Sequence, residues 1–229
     1  MALLSNMIRS TRARSLLTLY IVVSLLNVFA EGSEFTAVAF VTVVLAMPLL
    51  IALVLSARLR RDRMTAFVVV ALFFSWLGDW LGDLLVPHVV FKIIFFFVGH
   101  IFYVMAFLPY RRASLLYRPL LLAAYLVFIG GLLAWIAPRS GILAPAVVVY
   151  GLLLVTMAVL ASGLNWIATV GSMIFVVSDL SIAVTAFAIP GVIEESELLI
   201  MSTYLVAQLM IVIGVIQRQH DDSATEPIG

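Results

Sequence analysis

Two aspartates stand inside stretches of the sequence that are otherwise almost wholly apolar. Asp79 lies in ALFFSWLGDWLGDLL, residues 71–85, and Asp179 lies in GSMIFVVSDLSIAVTAF, residues 171–187. Two carboxylates held near each other in a poor dielectric cannot both ionise easily, so we expect one to keep its proton and the other to act as a base. This division of labour suits acid-catalysed hydrolysis of an ether or acetal-like bond, and it also suits proton-coupled transport.

Other polar side chains recur in equally apolar surroundings. An ionisable group at membrane depth costs about 2.5–3.5 kcal/mol, so such groups usually face the interior of a helix bundle and serve a function there. The candidate catalytic residues are Asp79, Asp179 and His100. The candidate substrate-binding residues are Ser75, Asp83, Lys92, Tyr103, Ser178, Tyr204 and Gln208.

The composition identifies the chain as an integral membrane protein. It has 229 residues, of which 65% are hydrophobic and 11% charged, and its mean hydropathy is +1.23. These values leave no room for a separate soluble domain, and a net charge of +1 gives no basic surface for nucleic acid. Without cysteine the chain has neither disulfides nor thiolate chemistry. No HExxH, GxSxG or P-loop pattern is present, so we predict no metal and no cofactor.

Hydropathy divides the chain into eight membrane spans with both termini in the cytoplasm. Eleven of the thirteen Lys and Arg residues then lie on the inner side, while the outer loops carry EGSE and EESE. Residues 1–217 form a single helical domain, and residues 218–229 form a short cytoplasmic tail. Pro48 falls well inside the second span and is expected to kink it. The spans are 15–30, 36–57, 64–85, 89–108, 117–137, 142–161, 165–188 and 197–217.

The first span has an alternative interpretation as a secretory signal cleaved after Ala30, because arginines precede its apolar run and VFAEGS follows. Tyr20, Ser24 and Asn27 argue for a retained helix, since their spacing gives a polar stripe that would face a bundle interior.

Hairpin geometry predicts which polar residues lie at the same depth. In an antiparallel pair of the third and fourth spans, Asp83 lies beside Lys92, as in an ion pair, and Ser75 lies beside His100. Gly78 would let the two helices approach closely.

The seventh and eighth spans form a second antiparallel pair. With a turn near residues 192 and 193, Asp179 is level with residue 206, between Tyr204 and Gln208. We therefore predict one polar chamber between spans three, four, seven and eight, near the middle of the membrane and closer to its outer face.

Four motifs in order resemble the YhhN family, the lysoplasmalogenase-like membrane proteins. The patterns are S-x-x-G-D, G-H-x-x-Y, F-x-x-S-D and Y-x-x-A-Q. Here they are Ser75, Gly78 and Asp79; Gly99, His100 and Tyr103; Phe175, Ser178 and Asp179; Tyr204, Ala207 and Gln208. The chain departs from the family at Met47-Pro48, where Lys-Pro is common, and around FKIIFF, where Lys92 offers a substitute charge.

The resemblance implies eight membrane helices and hydrolysis of the vinyl-ether bond of a lysoplasmalogen. The expected partners are then a lysophospholipid or another single-chain lipid and the surrounding membrane lipids, in a bacterial plasma membrane. The alternatives are a proton-coupled transporter of a small solute or lipid and a binding protein without turnover. Oligomeric state is not predicted.

Overall fold

A computed structural model describes residues 10–33, 35–57, 62–84, 88–188 and 193–225, and within these ranges it contains helices and no strands. Three 3-10 segments, Leu108–Ala113, Leu115–Tyr117 and Ala137–Leu143, and one π-helical turn, Val184–Ala188, connect or extend the α-helices. The α-helices are α1 Thr11–Glu31, α2 Thr36–Ser56, α3 Arg63–Leu84, α4 His88–Phe107, α5 Pro119–Ile136, α6 Ala144–Ala161, α7 Trp166–Ala183 and α8 Ile193–Thr225.

Seven helical segments among the described residues are long and apolar enough to cross a membrane. One of them, Pro119–Ala161, is 43 residues long and contains both α5 and α6. A straight helix of that length would span roughly 65 Å, about twice the hydrocarbon core. Instead the chain reverses near Gly141, whose φ of 56° favours glycine, and Leu133 of α5 packs on Gly151 of α6. The all-helical, polytopic architecture predicted from hydropathy is therefore confirmed.

The α-helices lie where hydropathy placed the spans, with differences of a few residues at most ends. Ser10 and Asn165 cap α1 and α7, because their side-chain oxygens accept hydrogen bonds from the backbone three residues on. The largest difference is in α8, which continues to Thr225 rather than ending at residue 217. Asp222 in this extension accepts a hydrogen bond from Tyr110 at 2.7 Å, so the start of the predicted tail is helical and packed.

Small residues bring consecutive helices into close contact. A Cβ atom on Gly171 of α7 would lie 2.7 Å from Met210 Cβ and 3.1 Å from the Ala207 carbonyl oxygen of α8. Between α3 and α4, a Cβ on Gly78 would lie 3.0 Å from the Phe96 ring, as the prediction of a close approach there requires. Glycine at these positions lets the helix axes come near enough for side chains to meet across them.

The polar stripe of α1 faces the bundle. Tyr20 is buried and donates a hydrogen bond to the Leu205 carbonyl of α8 at 2.8 Å. Asn27 is buried and donates to the Ala39 carbonyl and to the Thr42 hydroxyl of α2 at 2.9 and 3.0 Å. These bonds tie α1 to both neighbours, so the predicted inward orientation of Tyr20 and Asn27 is confirmed.

Helix α2 continues through Pro48, and its freed carbonyl is satisfied by another helix. Proline has no N–H, so the carbonyl of Val44, four residues earlier, lacks its usual partner within the helix. The indole Nε1 of Trp76 on α3 donates to that oxygen at 2.9 Å. A hydrogen bond between helices therefore replaces the one that proline removes within α2.

We expect Trp76→Phe to lower the free energy of unfolding by about 1–2 kcal/mol, because the Val44 carbonyl then loses its donor in an apolar interior. In a Pro48→Ala background the backbone N–H of residue 48 can bond to Val44, so the same substitution should cost less. Denaturation in detergent micelles measures both differences, with Trp166→Phe as the control because Trp166 is 67% exposed. An equal cost of Trp76→Phe in the two backgrounds would contradict the assignment.

Candidate functional site

Three hydrogen bonds between described side chains join α3 to α8. The Tyr204 hydroxyl donates to Asp79 Oδ2 at 2.9 Å, and one turn along, Gln208 Nε2 donates to Ser75 Oγ at 3.2 Å. Nearer the other end of the same antiparallel pair, Gln219 Nε2 donates to Thr65 Oγ1 at 2.6 Å. The three bonds keep one register, so α3 and α8 are aligned by polar contacts.

Helix α4 joins this network through Tyr103, whose hydroxyl donates to Gln208 Oε1 at 2.6 Å. Gln208 is fully buried and uses both ends of its amide, accepting from Tyr103 and donating to Ser75. We call Asp79, Tyr204, Ser75, Gln208 and Tyr103 the Asp79 cluster.

A second group of polar side chains, the Asp179 cluster, comprises Asp179 of α7, His100 of α4 and Tyr150 of α6. The Tyr150 hydroxyl donates to Asp179 Oδ2 at 2.5 Å, and His100 Nε2 lies 3.7 Å from the same oxygen. Asp179 and His100 are buried, with 6% and 2% of their surface exposed. The imidazole of α4 and the phenol of α6 thus both face the same carboxyl oxygen of α7.

The hydrogen bond on the far side of the His100 ring determines which ring nitrogen carries the hydrogen. Nδ1 lies 2.6 Å from the Phe96 carbonyl oxygen, which can only accept, so Nδ1 carries a hydrogen. In the neutral ring Nε2 then presents a lone pair toward Asp179, and within the described ranges this buried atom has no hydrogen-bond partner. A lone pair facing an ionised carboxylate is unfavourable, so the pair is stable when it holds one proton, on Asp179 or on His100.

Aromatic rings separate the two clusters. The Phe175 ring packs edge-on against both His100 and Tyr204, with centroid distances of 5.0 and 5.6 Å. Phe96 packs edge-on against Tyr204 at 5.6 Å. Asp79 and Asp179 are therefore held in neighbouring polar groups with phenylalanine rings between them.

An apolar cavity of about 310 Å³ adjoins the Asp179 cluster. It lies between α4, α5, α6, α7 and the π-helical turn, and its size is at the lower end of the range of ligand pockets, roughly 300–1,000 Å³. Of the described side chains that line it, the polar ones are Asp179, Tyr150 and Lys92. Such a cavity suits a hydrocarbon chain with one reactive group placed at Asp179.

Seven of the ten predicted site residues fall into these two clusters. His100 meets Asp179, while Asp79, Ser75, Tyr103, Tyr204 and Gln208 share the other cluster. The single chamber of four helices is therefore two clusters, and α6 takes part in one of them.

The predicted level of Asp179 relative to α8 is wrong. The neighbouring Ser178 donates to the Ile200 carbonyl at 3.0 Å, so this part of α7 lies opposite residue 200 rather than residue 206. The register of α7 against α8 therefore differs from the prediction, because packing along the two helices sets it. Ser178 itself bonds the backbone of α8 and links the two helices.

The predicted ion pair of Asp83 with Lys92 stays a prediction, because the Asp83 side chain lies outside the described part of the structure. Lys92 is half-buried and lines the cavity.

Tyr150 is the residue of the Asp179 cluster that the sequence analysis missed. Tyr150 lies in AVVVYGLLL, where a single tyrosine does not differ in pattern from the other large apolar residues of a membrane helix. The available signal was weak: buried tyrosine hydroxyls usually find a hydrogen-bond partner, so a tyrosine in the middle of a span predicts a polar neighbour.

The profile of the YhhN family matches residues 38–215, which is more than half of the chain and includes both clusters. The chain belongs to the YhhN family. Searches among curated proteins and among solved structures find no match.

This YhhN-family chain has no group of three or more His, Asp and Glu side chains placed to hold a metal ion among its described residues. The chemistry available at the Asp179 cluster is proton transfer by a carboxyl group and an imidazole, with a phenol that orients the carboxyl group.

We expect Tyr204→Phe to destabilise this YhhN-family protein by about 1–2 kcal/mol, because it removes the donor that Tyr204 gives to the buried Asp79 carboxyl group. Denaturation in detergent micelles measures the change, and Tyr117→Phe is the matched control because Tyr117 is 62% exposed. An effect of Tyr204→Phe no larger than that of the control would show that this hydrogen bond does not hold α3 to α8.

Proposed function

We propose that this protein is a membrane-embedded hydrolase that cleaves the vinyl-ether bond of a lysoplasmalogen-type lysophospholipid. The products are a fatty aldehyde and a glycerophospho-alcohol. The observation that carries the proposal is the position of Asp179: its carboxyl group lies beside His100 and Tyr150 and lines an apolar cavity. Membership of the YhhN family agrees with this activity.

The cavity favours a substrate with one hydrocarbon chain. Its walls are almost wholly apolar, so they would bind a chain by the hydrophobic effect but leave a polar solute without partners. Ile94, which lines the cavity, is 50% exposed. A single-chain lipid could thus enter from the bilayer without leaving an apolar environment.

The first chemical step is protonation of carbon. Asp179, in the state in which it holds the proton, donates it to the alkenyl carbon that is not bonded to oxygen. The double bond supplies the electron pair, and the other alkenyl carbon becomes part of an oxocarbenium ion. The newly formed Asp179 carboxylate stabilises this cation, and the Tyr150 hydroxyl holds that carboxylate in place.

Water completes the reaction. His100 Nε2 takes a proton from a water molecule as its oxygen bonds to the oxocarbenium carbon, which gives a hemiacetal. The hemiacetal collapses: its carbon–oxygen bond to the glycerol unit breaks, its hydroxyl proton passes to the departing oxygen, and an aldehyde and an alcohol remain. Protonated His100 then returns its proton to Asp179, which is 3.7 Å away and within reach through one water.

Asp79 acts from behind the cavity wall in this scheme. Tyr204 is bonded to Asp79 and packs against Phe175, and Phe175 packs against His100. Asp79 therefore holds, through Tyr204, the aromatic rings that orient the His100 base. In this scheme the Asp79 cluster positions the His100 base, and the side chains of the Asp179 cluster take part in the reaction.

We expect Asp179→Asn to abolish aldehyde release from an alkenyl lysophospholipid, because the amide has no acidic proton to give. Asp79→Asn should lower the rate at least about tenfold through the loss of positioning. Tyr150→Phe should lower kcat about 10- to 100-fold, because the Asp179 carboxylate loses a hydrogen-bond donor. Aldehyde release by the purified protein measures all three, and Tyr125→Phe, on α5, is the control expected to keep the wild-type rate.

Wild-type rates in both aspartate variants would contradict the roles assigned to them. If the well-folded wild-type protein releases no aldehyde, the proposed reaction is wrong, and proton-coupled transport by the same carboxyl groups becomes the function to test.

A further inference from the structure

Lys92 is the only lysine in the chain, and it lines the cavity that contains the reacting group. It stands near the start of α4, in a wall where the other described polar side chains are Tyr150 and Asp179. The mechanism above uses Asp179 and Tyr150 and assigns no step to Lys92. A positive charge beside an apolar cavity inside a membrane protein is costly, and such charges usually mark the path or binding site of a substrate, also where a counter-charge lies nearby.

The position of Lys92 along α4 sets its distance from the chemistry. It precedes His100 by eight residues, or about 12 Å along the helix axis. A flexible lysine side chain covers part of that distance, and a glycerol unit ending in phosphate covers the remainder. An ether oxygen at Asp179 and a phosphate at Lys92 can therefore belong to one substrate molecule.

The chemistry of lysine fits an anionic oxygen group. Its ammonium is a compact charge with three donors, and the long stem lies comfortably on apolar surface while the charge reaches a polar group. Lysine binds phosphate in this way at many sites, and the attraction is strong where water is scarce.

We propose that Lys92 binds the phosphate of the substrate, so that the cavity selects single-chain ethers with a phosphate one glycerol unit away from the ether oxygen. This inference rests on the proposed function, since it names the part of the substrate that the same site recognises. Lys92 is then a specificity-determining residue, and the hydrocarbon chain occupies the apolar part of the cavity.

The first test compares two substrates with the same alkenyl chain: 1-alkenylglycerol 3-phosphate and 1-alkenylglycerol. We expect the wild-type protein to prefer the phosphate in kcat/KM by about 10- to 100-fold. Lys92→Gln should remove this preference, chiefly through a higher KM for the phosphate substrate, and Lys92→Arg should keep most of it. Arg139→Gln is the matched control. Arg139 is an exposed cation in the adjoining Ala137–Leu143 segment, and its side chain does not line the cavity. It should keep the preference.

The second test measures binding without turnover. Saturated 1-alkylglycerol 3-phosphate cannot be protonated to an oxocarbenium ion, and an amine-reactive reagent can modify no side-chain amine other than Lys92. We expect this analogue to protect Lys92 from modification, as read by mass spectrometry of the peptide, while 1-alkylglycerol and inorganic phosphate alone protect it much less. Without its chain, inorganic phosphate has no apolar contact to hold it there.

The two tests separate the failure of this inference from the failure of the proposed reaction. Equal turnover of the two alkenyl substrates, with no protection by the phosphate analogue, would overturn the role of Lys92 and leave the hydrolase intact. Protection without any aldehyde release would support the phosphate site and reject the hydrolase. Equal protection by inorganic phosphate alone would also overturn the proposal, because the site would then bind anions regardless of a lipid chain.

Discussion

In an apolar solvent, each buried polar group must find its hydrogen-bond partner within the protein, and this constraint shapes the bundle. Val44, deprived of its partner by Pro48, receives one from Trp76 of the next helix. Asp79 receives a donor from Tyr204, and Asp179 receives one from Tyr150. Each of these bonds joins two helices, so the groups that are costly to bury are also the groups that fix which helices meet and in which register.

His100 Nε2 stands apart from this pattern. Its ring is held by the Phe96 carbonyl on one side, yet the nitrogen that faces Asp179 lies at 3.7 Å, beyond a direct hydrogen bond, and has no partner among the described residues. An imidazole lone pair that faces a carboxyl group without a hydrogen bond is available for chemistry. The pair can release a proton from Asp179 and take one up from the reacting water at His100, and it regains its starting state when His100 passes that proton to Asp179.

Much of the fold follows from one-dimensional information. Hydropathy placed all eight helices, because each needs a run of apolar residues long enough to cross a bilayer. The rarity of polar residues in those runs identified Asp79, His100 and Asp179 as candidates, and the α3–α4 hairpin placed Gly78 against its neighbour. These predictions depend on sequence-local properties or on two adjacent helices.

What escaped prediction depends on helices far apart in sequence or on exact register. Tyr150 comes from α6, which reaches Asp179 only in the folded bundle, and its hydroxyl group has no local signature. The level of Asp179 on α8 depends on how Gly171 and its neighbours pack, and this packing places Asp179 more than one helical turn from its predicted level. Pro48 removes the helical partner of the Val44 carbonyl, but only the packing of α2 on α3 identified Trp76 as the donor.

The central claim is that Asp179 protonates carbon and that His100 directs water to the adjacent carbon. The most direct measurement is the fate of isotopes when the purified protein cleaves an alkenyl lysophospholipid in heavy water enriched in ¹⁸O. The account predicts a single deuterium on the aldehyde carbon next to the carbonyl, with no ¹⁸O in the released glycerophospho-alcohol. An alcohol that carries ¹⁸O would mean that the bond between the glycerol carbon and the ether oxygen is broken, and an aldehyde without deuterium would mean that no water-derived proton reaches the alkenyl carbon. Either result would contradict the mechanism.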